Sequence, residues 1–264
     1  MGWLGLNKST AILLAGFLLL GIYCYWTIDQ YESLAQKYNS LVIAYNELAK
    51  NVFNPAQANC TATTIIYYTN FSKNLQMITL YIPYKKYETY HNGPHPYWGV
   101  RNLMSVRDYI TSNETIINQI VEKIRNQTQS EEELADALLD FVQDKGFALS
   151  IRYYPTTELK YPIETLVEMG GDCDTHSFLY ATLMKAAGFK VLLLLSKDPV
   201  NGLPHVAVAI HLTNPPTHSL PEYEDKFFIY NGEKYYFAET TAWNYRVGDL
   251  PTWLKNVDFY LIPI

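Results

Sequence analysis

The chain has 264 residues, with 20 Lys+Arg against 26 Asp+Glu and a formal net charge of −6. That balance excludes a basic nucleic-acid binder, which needs clustered cations to meet phosphates, so no nucleic-acid partner is expected. A hydrophobic content of 48 % with only 17 % charged residues excludes a largely disordered chain, and three cysteines are too few for a disulfide framework.

The charge is unevenly placed. Residues 1–28 carry one charged side chain, Lys8, which leaves −7 on the remainder. Residues 10–28 (TAILLAGFLLLGIYCYWTI) carry none. As a helix they would be about 28 Å long, close to the hydrocarbon thickness of a bilayer. Tyr23, Tyr25 and Trp26 crowd one end and Trp3 precedes the other, which suits rings at the headgroup level. Lys8 lies before the span, while Asp29 and Glu32 follow it. The positive-inside bias then predicts a single-pass cell-membrane protein with a cytoplasmic N-terminus and everything else outside. The rival reading is a cleaved signal peptide. Its best small-residue site, Ser33-Leu34-Ala35, is far from the apolar run, so an uncleaved signal-anchor is preferred. Cys24 falls inside the span as an inert thiol.

Residues 29–54 read as a helical stalk. Tyr31, Leu34, Tyr38, Leu41, Tyr45, Leu48 and Val52 alternate at spacings of three and four, the seam of a coiled coil. A homo-oligomer through residues 31–52 and a single amphipathic helix packed on its own domain both fit this pattern. Asn59, Asn70, Asn113 and Asn126 each open an N-x-S/T acceptor pattern, weak support for an extracytoplasmic location. Cys60 beside the stalk is either an inter-chain bridge or a buried thiol.

Residues 60–98 form a β-rich extension in this reading, with strands rich in Thr, Ile and Tyr across 61–90. A loop, HNGPHPYWG, occupies 91–99. His91 and His95 there have metal-ligating chemistry, although most loop histidines simply face solvent. A helix is predicted over 114–126, with Ile117, Ile120, Val121 and Ile124 on one stripe. A second begins at a capping box, Ser130 with Glu133, carries Leu134, Leu138, Phe141 and Val142 inward, and ends at Gly146. A connection rich in Tyr and Pro leads to a short helix at 163–169. A helix over 173–187 follows, closed by Gly188, then a buried strand at 189–196. Residues 205–212 alternate, with Val206, Val208, Ile210 and Leu212 on one side and His205, Ala207, Ala209 and His211 on the other. Asn231-Gly232 marks a hairpin before a strand at 234–241, and 257–262 is a last strand.

Cys173 sits at the first turn of its predicted helix behind Gly170, Gly171 and Asp172. A helix N-terminus offers partial positive charge and unpaired N–H groups, which favour a thiolate nucleophile and an oxyanion. The bland reading is a buried core cysteine, weakened by the polar neighbours Asp172, Asp174 and His176. A thiolate needs a base and the base an orienting acceptor. His205 opens a strand whose same-side neighbours are small, and Glu239 lies among aromatics where an unpaired carboxylate would be costly.

These segments, GGDCDTHSFLYATLMKAAGFKVLLLL (170–195), PHVAVAI (204–210) and YYFAETTAWNYRVGDLP (235–251), resemble the transglutaminase-like superfamily of the papain-like cysteine-enzyme fold. The helix LADALLDFVQDKGF and the PIETL segment before the Gly-Asp-Cys match that family's usual lead-in, so the resemblance spans roughly residues 99–251. It implies an α+β fold over 99–264, with the catalytic Cys at a helix N-terminus packed on an antiparallel sheet. It implies Cys173 as nucleophile, His205 as base and Glu239 as third member, where many relatives carry Asp. Asp172, Asp174, His176 and Tyr161 are supporting candidates. Tyr161 is a proposed oxyanion donor, and His176 is either a tuner of the site or a surface residue, the latter preferred. No metal and no other cofactor is expected.

Thiol-dependent acyl chemistry on an amide of a protein or peptide substrate therefore leads, as peptidase, amidase or transamidase. An inactive surface-binding module is the second reading. A metal site on Cys173, His176, His205 or Glu239 is the third.

Overall fold

A computed structural model describes residues 59–69, 74–97, 101–146, 149–200 and 203–264. All of them fall within one compact unit, Phe53–Ile264. The apolar span at 10–28 and the heptads at 31–52 lie outside the described residues. Among those described, no helix is long and apolar enough to cross a membrane.

The described chain mixes helices with antiparallel sheets, the α+β class expected. Strands β1 (Cys60–Thr69) and β2 (Asn74–Pro83) pair as an antiparallel hairpin. Ile65, Tyr67, Ile78, Leu80 and Ile82 from this hairpin join the same core as the helices that follow. The reading of strands through residue 90 needs correction. Tyr84–His91 is a helix, α1, that starts directly after Pro83 and buries none of its own residues. Its tyrosines have strand propensity, but among the described residues no strand pairs with this segment.

Helices α2 (Thr115–Arg125) and α3 (Glu131–Val142) follow. The predicted stripe on α2 is buried, joined by Ile116. At α3, Ser130 Oγ accepts the Glu133 N–H, while the Glu133 carboxylate caps Gln129 rather than Ser130. This helix stops at Val142, four residues before the expected Gly146. Gln143 turns extended because its side chain is drawn away to two carbonyls across the site.

Strand β3 (Arg152–Tyr153) pairs in parallel with β4 (Gly170–Gly171), and between them lies α4 (Pro162–Glu168). The pairing demands glycine. A Cβ at Gly170 would stand 2.3 Å from the Arg152 carbonyl oxygen, and one at Gly171 would stand 2.5 Å from the Thr175 side chain. We expect Gly170→Ala to lower stability by about 1–3 kcal/mol, because backbone rather than a pliable side chain must yield. A denaturant melt reads this; a loss under 0.5 kcal/mol, about the scatter of a neutral surface change, would contradict it.

The central helix α5 (Cys173–Ala186) begins at Asp172, whose side chain accepts the Thr175 N–H, and closes at Gly188, where φ is 94°. Phe178, Leu179, Tyr180, Leu183 and Met184 are fully buried along it. Each such side chain contributes about 1.5–3 kcal/mol on burial. The helix lies on a five-stranded antiparallel sheet of order β11-β5-β6-β9-β8, formed by Phe259–Pro263, Val191–Ser196, Val206–Ile210, Glu233–Ala238 and Phe227–Tyr230 respectively, while β7 (Glu224–Asp225) and β10 (Asp249–Leu250) make a separate antiparallel pair. Asn231 and Gly232 both take positive φ, 51° and 81°, as a two-residue hairpin of the primed type requires. The alternation along β6 is realised. Val206, Val208 and Ile210 face the helices, while Ala207 and Ala209 face a second core with Phe237, Leu250, Leu254 and Phe259.

Candidate active site

Three segments converge at one end of the sheet. Cys173 occupies the first position of α5. Its Sγ stands 3.9 Å from the Pro204 carbonyl oxygen, and the Val206 N–H points to the same sulfur. The thiol is thus seated between the residues that flank His205. Packing of α5 on β6 fixes this approach, with Ser177 Oγ donating to the Val206 carbonyl at 3.2 Å.

His205 is clamped by Ser196 on both backbone groups. Its N–H donates to Ser196 Oγ and its carbonyl accepts the Ser196 N–H, each at 2.9 Å. Its Nε2 lies 3.0 Å from Glu239 Oε2. With Nε2–H given to the carboxylate, Nδ1 is the nitrogen left to act as base.

Glu239 follows directly on β9 rather than lying within the strand, and it is wholly buried. Its second oxygen accepts both the Thr241 N–H at 2.9 Å and the Thr241 hydroxyl at 2.5 Å. Burial alone would push this carboxyl up. The His205 charge and the hydrogen bonds from His205 and Thr241 outweigh burial and hold Glu239 below its ordinary range. Both oxygens of the carboxylate are therefore engaged, Oε2 by His205 and Oε1 by Thr241.

The thiol itself departs from expectation. Burial pushes Cys173 up to about 12, and the nearby carboxylates of Asp174, Asp172 and Glu239 add to the rise against the Val206 N–H. The helix N-terminus does not win here, because the acidic side chains crowding it oppose the thiolate. We expect alkylation of Cys173 in the resting protein to keep accelerating beyond pH 9, with no plateau near neutrality. A free thiol ionises near about 8.5, so the folded chain binds this proton more tightly than the unfolded one. The corresponding stability is complete below about 8.5 and is lost as pH rises toward about 12. A neutral plateau in the rate of iodoacetamide labelling would contradict this.

Asp172 caps α5 and bonds Thr175 Oγ1 at 3.2 Å, and Asp174 Oδ1 lies 3.2 Å from the same hydroxyl. Burial and the adjacent Asp172 carboxylate raise Asp174 well above the usual carboxylate range.

Two sequence expectations are corrected. His176 is not a surface residue. It is fully buried, with Nδ1 3.2 Å from the Thr240 carbonyl and Nε2 3.3 Å from that of Arg152. Burial lowers its pKa although those carbonyls favour the cation. Each nitrogen faces a backbone carbonyl, and the neutral ring can donate to only one of the two. The imidazole instead ties the end of β9 to β3. Tyr161 is not aimed at the thiol. Its hydroxyl donates to the Pro94 carbonyl at 3.0 Å, in a cluster with Tyr90, His95 and Tyr109.

Three further residues belong to the site. Trp253 sets its ring edge-on to His205, with centroids 4.9 Å apart at 77°. Gln143 Nε2 donates to the Glu239 carbonyl at 2.9 Å and to that of Tyr245 at 3.0 Å. The Tyr153 phenol lies within the fields of Cys173, Asp172 and Glu239, which together with burial raise its pKa.

No family model and no curated protein matches the sequence. A solved structure described as "Crystal structure of a TGase" aligns at 12 % identity and a TM-score of 0.30, over 72 % of this chain and 47 % of that one. This chain thus spans about half the length of that neighbour, and a likeness of this size supports no conclusion about fold or activity.

Proposed function

We propose that the chain is a membrane-anchored, extracytoplasmic thiol enzyme of transglutaminase-like type, acting on amide bonds as peptidase, amidase or transamidase. Residues 10–28 serve as anchor and 29–54 as stalk in this reading, and the substrate is a protein or peptide outside the cell. The buried His205–Glu239 pair at 3.0 Å, set beside a cysteine at a helix N-terminus, carries the proposal. Such a pair costs desolvation, which the Thr241 hydrogen bonds to Glu239 help to offset.

In this reading the resting nucleophile is the thiol. As Cys173 Sγ attacks the carbonyl carbon, its proton passes to His205 Nδ1. The carbonyl electrons move onto oxygen, which the Cys173 N–H can receive. Collapse expels the amine, which takes the proton from His205 and leaves a thioester. Water then gives an acid; an amine acceptor gives a new amide. Glu239 keeps the imidazole in the required tautomer throughout. Proton transfer coupled to attack is needed because the thiol is raised so far.

That same raised thiol favours the second reading, a catalytically silent binding module. An acyl-type activity probe separates the two. Covalent capture at Cys173 that vanishes in His205→Ala supports the enzyme. Capture equal in both proteins, or absent from both, leaves the binding module.

A further inference from the structure

Away from Cys173, two groups of His and carboxylate side chains converge among the described residues: His91–Glu164–Glu168 and Glu132–Asp136–His218, each with its ligand-type atoms within 4.8 Å of one another. Their surroundings distinguish them. In the second group the carboxylates are already spent on a loop. Glu132 accepts the N–H groups of Thr217 and His218 and the Thr217 hydroxyl, and Asp136 accepts the Val247 N–H. That group is a clasp.

The first group is arranged otherwise. Glu164 is 3 % exposed, and its Oε2 accepts the Tyr161 N–H at 2.8 Å and faces His95 Nε2 at 2.9 Å. Its Oε1 is turned toward His91 Nδ1 at 3.3 Å, and the same nitrogen stands 3.4 Å from Glu168 Oε1. One ring nitrogen carries at most one proton, so it cannot serve two carboxylates equally. Both distances also exceed the roughly 2.7–2.9 Å of a charge-assisted N–H···O bond. Zinc in tetrahedral coordination, with bonds of about 2.0–2.2 Å, sets its ligand atoms about 3.3–3.6 Å apart. The two His91 distances match that spacing.

Further contacts hold these side chains in place. Tyr87 donates to Glu168 Oε1 at 2.9 Å, the same oxygen that faces His91, and stacks its ring on His91, with centroids 5.0 Å apart at 19°. Lys160 holds the far oxygen of Glu168 at 2.7 Å. Contacts of this kind fix ligand orientation.

We propose that His91, Glu164 and Glu168 bind a divalent first-row transition metal, zinc by preference, with His95 holding the Glu164 carboxylate from behind and the fourth position left to water. This departs from the expectation of a metal-free chain. It does not depend on what Cys173 does. The ion would pin α1 to α4, the helix that leads through Met169 and two glycines to Cys173.

The full chain, purified in detergent without a polyhistidine tag and stripped with chelator, should be titrated with Zn²⁺ and with Co²⁺. One equivalent is expected, with the intense visible bands of four-coordinate cobalt and a rise in melting temperature. His91→Ala and Glu168→Gln should each weaken binding by about 100-fold or more, and His95→Ala by about 10–100-fold. His218→Ala should change nothing. His91 is half-exposed, so its variant decides the matter if Glu168→Gln fails to fold. No saturable binding at micromolar metal, or binding indifferent to His91→Ala, overturns the site. So does binding that His218→Ala abolishes.

Discussion

Glu239→Gln is expected to lower kcat/KM by about 10³–10⁴-fold while the protein stays folded. The loss follows from which atoms the new amide must face. Thr241 presents an N–H and a hydroxyl to one oxygen of Glu239, at 2.9 Å and 2.5 Å. The glutamine carbonyl must occupy that position, because its NH₂ would oppose the Thr241 N–H. The NH₂ then faces His205 Nε2, which has to become an acceptor. The ring proton moves to Nδ1, the nitrogen that should take the proton of Cys173. The base is lost although every side chain keeps its place. Glu239→Asp keeps the charge but shortens the reach, so it should fall between wild type and Gln. The measurement is steady-state kinetics on a peptide selected by the activity probe, with circular dichroism as the folding control. A loss under tenfold for Gln would remove Glu239 from the mechanism.

The largest effect on stability is expected at Lys145. Its ammonium is buried, 2.6 Å from Asp140 Oδ1 and 2.9 Å from Gln143 Oε1. Burial lowers the Lys145 pKa, and the Asp140 charge works against that fall. Lys145→Met removes the cation paired with a buried carboxylate and should cost about 3–5 kcal/mol. It also frees Gln143, whose other end holds the carbonyls of Glu239 and Tyr245. Activity should therefore decline at temperatures where the variant is still folded. The double variant Lys145→Met with Asp140→Leu should recover much of the stability, since a well-packed apolar pair often equals a buried ion pair. Urea melts of the single and double variants test this. A single-variant loss below about 1 kcal/mol would mean that the pair is solvated.

What the sequence disclosed follows a physical divide. The limits of α5 were legible because Asp172 and Gly188 act on their own neighbours. The hairpin at Asn231-Gly232 was legible for the same reason, and the alternation along β6 exposed its two faces. Cys173 was marked by its place at a helix N-terminus, His205 by its small same-side neighbours, and Glu239 by the cost of a carboxylate among aromatics. The remainder depends on contacts between distant segments. Gln143 ends α3 early for the sake of carbonyls about a hundred residues away. His176 is buried because Arg152 and Thr240 supply its acceptors, and neither is near it in sequence. Trp253 gives no sign in its own Pro-Thr-Trp-Leu turn that it meets His205. The helix α1 was misread because it buries nothing and its tyrosines carry strand propensity. The low thiol pKa expected of a helix N-terminus neglected the two acids beside it.

The three groups of the site come from the start of α5, the residue before β6 and the residue after β9. None of these contacts is local: the thiol and its neighbouring carbonyl are 31 residues apart, and the imidazole and its carboxylate 34. The helix bearing Cys173 has its own start and stop signals at Asp172 and Gly188. Its base is placed only when β6 has docked beside β5, and the base is oriented only when β9 has closed against β6. Until then the cysteine is an ordinary thiol on an exposed helix end. Whatever chemistry Cys173 performs is thereby withheld from a partly folded chain, and its onset reports that the sheet is complete.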